Sequence, residues 1–99
     1  MIVLSPDSSV INVYWSHIAN DSVNGVLQGY KVFYRSLLDD GNYKMVSVGP
    51  STLQVVIRDN FIYTDIYEVR VAGVTAVGVG VKSESELVQP GKGILKAIT

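Results

Sequence analysis

The chain has no cysteine, one histidine and three prolines among its 99 residues. Without cysteine there can be no disulfide, thiolate metal site or cysteine nucleophile. That absence does not fix a compartment, because some extracellular families build adequate cores without cross-links. His17 supplies the one imidazole, in a polar stretch that reads as loop, and it is read as a solvated side chain. No G-x-S-x-G nucleophile elbow accompanies it. Charge of one sign is lacking too: 8 Lys and Arg against 9 Asp and Glu leave a net −1. So small a charge does not draw nucleic acid or an anionic membrane surface. No apolar run approaches the roughly 20 residues of a membrane helix. Met1-Ile2-Val3-Leu4 lacks the basic start and longer apolar stretch of a secretory signal. The length suits one domain, read as one piece of a longer protein.

Branched and aromatic residues are plentiful instead, with many valines, six tyrosines and one tryptophan. These suit a pleated, half-buried surface. Ile2-Val3-Leu4 reads as a short apolar start before a turn cluster at Ser5-Pro6-Asp7-Ser8-Ser9. "VINVYW" alternates, with Ile11, Val13 and Trp15 on one face. Residues 17–28 are polar and read as a long loop. "GYKVFYR" places Tyr30, Val32 and Tyr34 inward, opposite Lys31, Phe33 and Arg35. "YKMVSV" is a short strand ending at Gly49-Pro50, and "TLQVVIR" turns Leu53, Val55 and Ile57 inward. "IYEVRVAGVT" gives the longest strand signal, with Tyr67, Val69 and Val71 opposite Glu68 and Arg70. "SESELVQ" is a weaker, charged edge strand closed by Pro90-Gly91. Seven strand signals without a helical period predict an all-β, two-sheet sandwich.

The stretch "YEVRVAGVTAVGVGV" tests whether this scaffold carries a phosphate site. A dinucleotide loop needs a third glycine after Gly78-Val79-Gly80, and Val81-Lys82-Ser83 follows instead. A phosphate loop needs lysine where Val79 stands, and no helix follows to offer its amides. The glycines therefore read as a hairpin, and Val77, Gly78, Val79 and Gly80 as a candidate contact loop. Asp39-Asp40-Gly41-Asn42 is a turn without EF-hand spacing. No cofactor or metal is expected. Asn20-Asp21-Ser22 satisfies N-x-[ST] in a loop, so Asn20 is a candidate glycosylation site. Phe33 is an outward aromatic that the stems of Lys31 and Arg35 could shield.

Four landmarks in order resemble the fibronectin type III family: Trp15 closing the second strand, "GYKVFYR", Tyr67 in "DIYEVRVAGV", and "AVGVG" before a Ser/Glu-rich strand. The likeness spans roughly residues 2–90. It implies a seven-stranded immunoglobulin-like antiparallel sandwich, with residues 1–91 as one domain and 92–99 as a tail or linker. It also implies a core around Trp15, Tyr30, Val32, Tyr34, Tyr67, Val69 and Val71. Tyr67 would bury its ring and return its hydroxyl to nearby backbone. The sequence departs from the family's pattern in having no proline-rich lead, which shortens the expected first strand. Phe61 stands where a leucine is usual, the crossover lacks its glycine or proline, and Tyr43 at best replaces a second tryptophan. Some family members bind integrins through Arg-Gly-Asp in the final hairpin; this chain has no such tripeptide. The resemblance implies a non-enzymatic module of an extracellular or cell-surface protein, in contact with protein partners and neighbouring modules. Its alternatives are an accessory module of a secreted microbial glycan-degrading enzyme and a mechanical link in an intracellular muscle filament protein.

Overall fold

A computed structural model describes residues 1–16, 26–38, 43–62 and 64–91. Its strands are β1 (Ile2–Asp7), β2 (Val10–Tyr14), β3 (Gly29–Ser36), β4 (Lys44–Val48), β5 (Gln54–Arg58), β6 (Tyr67–Thr75), β7 (Gly78–Val79) and β8 (Glu86–Val88). They form two antiparallel sheets, β1-β2-β5 and β4-β3-β6, with β7 and β8 both paired to β6. Alternation decides which side chains meet between the sheets. Val3, Ile11, Val13 and Ile57 from the smaller sheet pack against Tyr30, Val32, Tyr34, Tyr67, Val69, Val71 and Val88 from the larger. Leu27 and Phe61 join the same cluster, and Trp15 packs against it while half-buried.

Three local expectations change. The first strand is not short: it continues through Pro6 to Asp7, with its register shifting between Leu4 and Asp7. An edge strand loses little from a missing proline N–H. Buried Ser5 holds this irregular stretch, its hydroxyl 2.6 Å from the Val10 carbonyl and accepting from the Gly91 N–H at 3.0 Å. The turn narrows to Ser8-Ser9, where the Asp7 carboxylate accepts from the Ser9 N–H at 2.8 Å and hydroxyl at 2.7 Å. Leu53 does not face inward. It precedes β5, is 38% exposed, and contributes its carbonyl to the Trp15 N–H at 3.0 Å.

The third change concerns the last strand, which arrives as two pieces and raises the strand count to eight. Val79 pairs with Val74, but Glu86 pairs with Val69. Seven residues on one side thus span five on the other. Gly80 N–H donates to the Gly73 carbonyl at 2.8 Å and Ser83 N–H to the Val71 carbonyl at 2.7 Å. Between these bonds three residue steps face two, and the same holds from Ser83 to Glu86, so one residue is extra in each interval. Two bulge-like slips break the ladder without unpairing β6, because the Val71 N–H finds the Ser83 hydroxyl at 3.0 Å. Slips of this kind re-aim side chains, and here they turn Lys82 over the outer face of the sheet.

Candidate contact surfaces

The inward residues form the support for any contact made outside. Tyr30, Val32 and Val69 are fully buried, and Tyr34, Tyr67 and Val71 nearly so. Trp15 meets Tyr30 edge-to-face at 5.4 Å, and its indole nitrogen has no partner among the described residues. At the opposite end Tyr67 packs on Phe61 at 5.0 Å, and Phe61 on Tyr34 at 6.0 Å. The Tyr67 hydroxyl accepts from the Ile62 N–H at 3.1 Å, tying β6 to the segment that crosses between sheets. Phe61, in place of leucine, supplies the ring on which this corner closes.

The hairpin after β6 forms one exposed pole. Gly78 takes φ 142°, a conformation that glycine adopts without strain, and the Val77 N–H donates to Thr75 Oγ1 at 3.2 Å. Around that turn Val77 is 80% exposed, Val79 46% and Val81 94%, with Gly80 also at the surface. Val26 at 78% belongs to the same pole, because Gln28 N–H bonds the Val74 carbonyl at 2.7 Å. Ile2 pairs with Tyr14, next to Trp15, whose ring meets Tyr30 opposite Gly73, so the start of β1 reaches this pole too. Asn20, His17 and the Asp39–Asn42 turn lie outside the described residues.

The outer face of the larger sheet is polar, aromatic and tightly bonded. Lys31, Phe33 and Arg35 lie opposite Ala72, Arg70 and Glu68. Glu68 is nearly buried, with its carboxylate accepting from the Tyr43 hydroxyl and from Arg35 Nε at 2.9 Å. Arg70 stands 3.8 Å away and also donates to the Ser83 carbonyl at 3.3 Å. The Tyr43 hydrogen bond, followed by the Arg35 and Arg70 charges, holds the Glu68 acid below its ordinary range against the opposing effect of burial. Phe33 is shielded chiefly by Tyr43, edge-to-face at 6.0 Å, and by Lys82, whose ammonium lies 4.7 Å from its ring centre. Arg35 covers Tyr43 at 4.7 Å. None of these partnerships is adjacent in sequence, and the alternating pattern identified the face without its bonds.

A cleft of about 170 Å³ opens at the corner end, lined by Tyr34, Lys44, Asp59, Phe61 and Tyr67 among others. Asp59 accepts from Lys44 Nζ at 2.8 Å and from the Tyr34 hydroxyl at 3.2 Å. The Lys44 bond first, then the Asn60 N–H, lowers the Asp59 acid, while burial and then the Asp59 charge raise the Tyr34 phenol. A carboxylate so fully paired serves as a link between sheets rather than a proton acceptor. Among the described residues no group of three His, Cys, Asp or Glu could hold a metal ion.

No family model matches the chain. Curated relatives include the Mus musculus cell adhesion molecule DSCAML1, 36% identical over 87 residues, or 87% of this chain and 4% of that protein. The Rattus norvegicus cell adhesion molecule DSCAM is 32% identical over 83 residues, covering 84% of this chain and 4% of its own length. The chain thus spans only a small part of these relatives. Among solved structures, the FN1-FN3 domains of chicken CNTN1 superpose with a TM-score of 0.79 at 22% identity, covering 91% of this chain and 30% of that one. The fn3 domain of human contactin 1 gives 0.76 at 20% identity, covering 91% and 72%. Sheet order, the tyrosine-pinned corner and these superpositions agree: the chain has the fibronectin type III fold.

Proposed function

We propose that the chain is a non-catalytic module of an extracellular or cell-surface adhesion protein, spacing its neighbours and contacting protein through the pole at Val26, Val77, Val79 and Val81. The exposed valines carry this reading, since several apolar side chains left exposed at one loop end favour contact with protein over contact with water. The start of β1 reaches the same pole, so a module joined ahead of β1 would lie against these side chains. The relatives support the class of parent protein, being cell adhesion molecules by name. On this reading residues 1–91 act as one module, 92–99 lead onward, and a glycan on Asn20 accompanies the extracellular setting.

Hydrogen exchange tests it, comparing the chain alone with the chain joined to its preceding module. Amides from Val77 to Val81 should gain protection in the longer protein, and Val77→Ser/Val81→Ser should remove that gain while leaving β3 and β6 protected. Equal exchange in both proteins defeats the contact. Hydrolytic activity in the isolated chain would defeat the non-catalytic assignment separately.

A further inference from the structure

The chain is nearly neutral, but folding sorts its charges. Four of its eight basic residues, Lys31, Arg35, Arg70 and Lys82, share the outer face of the larger sheet. Among the described residues the acids on that face are Glu68, already engaged by Arg35, Arg70 and Tyr43, and Glu84, exposed on the segment that carries Lys82. Glu84 forms no ion pair with the four cations among the described residues. Counting both acids, the described residues of the face carry a net +2 (four minus two), on a chain whose total is −1. Two of its cations are held in place by rings, Arg35 over Tyr43 and Lys82 between Phe33 and Tyr43 at 4.7 and 5.6 Å. Side chains ordered in this way lose less entropy when they meet an anion. Along β3, Lys31 and Arg35 lie about 13 Å apart, with Arg70 on the neighbouring strand between them.

We propose that this face binds a linear sulfated polysaccharide. A polyanion needs ordered cations in excess of the anions beside them, and the described residues of this face supply both. An acidic peptide would instead use a free strand edge or a side-chain pocket. β3 and β6 offer no free edge, since each has paired strands on both sides.

Calorimetric titration of the 99-residue chain with a heparin octasaccharide tests the proposal. Binding should saturate and weaken roughly 30-fold between 50 and 150 mM salt, the release expected for about four cation contacts. Lys31→Gln/Lys82→Gln should cost about 30-fold at 150 mM, the worth of two contacts. Lys44→Gln and Arg58→Gln, on other surfaces, should leave affinity unchanged. Thermal melts of each variant separate loss of fold from loss of binding. In the unmodified chain, saccharide-induced amide shifts should centre on β3 and β6. Three outcomes overturn the site: no binding at 50 mM salt, equal losses from both sets of variants, or shifts centred elsewhere. An octaglutamate peptide that binds as tightly as the octasaccharide overturns the assignment of the ligand.

Discussion

The two faces of β3 and β6 are made by alternate residues of the same strands, yet different physics holds them. Inward, Tyr30, Val32, Val69 and Val71 lose their water and are stabilised by apolar burial, which depends little on pH or salt. Outward, Arg35, Glu68, Arg70 and Tyr43 are stabilised only as a set. Each charged member would be costly to bury without the others. One backbone thus presents a surface tolerant of apolar exchange on one side and dependent on partner identity on the other.

The sharpest way to break the comparison is on the inside. Tyr30→Ala should cost about 4 kcal/mol, the usual loss for a buried aromatic, measured by urea unfolding. Trp15→Ala should cost less because Trp15 is only half-buried. A loss below about 1 kcal/mol at Tyr30 would mean the two sheets do not meet there. Outside, Glu68→Gln keeps the shape and loses the charge, for a cost of about 1 kcal/mol at pH 7. Its signature is the pH dependence. Glu68 titrates below an ordinary glutamate in the folded chain, so its stabilisation is complete above about pH 4.3 and disappears as pH falls through the folded value. Acidification from pH 5 to 3 should therefore destabilise the wild type more than Glu68→Gln. Parallel acid limbs for the two proteins would show that the carboxylate's charge contributes nothing. The smallest effect belongs to Lys82→Ala, about 0.5 kcal/mol for an exposed cation over a ring, read as a shift in urea midpoint with no change in slope. An unchanged midpoint would reduce the Lys82 contact to packing without energy.

Alternation made most of the sandwich legible. Ile11, Val13, Tyr30, Val32, Tyr34, Tyr67, Val69 and Val71 are buried because a strand has a side-chain period of two, and no partner strand need be known to see it. The hairpin of Gly78 was legible for the same local reason, since glycine reverses a chain where other residues strain. Pattern failed where a strand edge or register slip decided the outcome. Pro6 looked like the end of a strand, but at the edge of a sheet its missing N–H has no partner to lose. Leu53 looked inward by parity, but β5 begins one residue later. Lys82 carried no signal of its own, because the two slips between β7 and β8 that aim it arise from pairing with β6.

Sequence alone therefore determined the material of this protein: strands, a neutral total charge, no thiol chemistry, and a buried stripe with a tyrosine at its corner. Tertiary structure alone decided the distribution of charge. Hydrophobic alternation is written residue by residue along one strand. Gathering Lys31, Arg35, Arg70 and Lys82 over one face depends on register between segments up to about fifty residues apart, which local order does not encode.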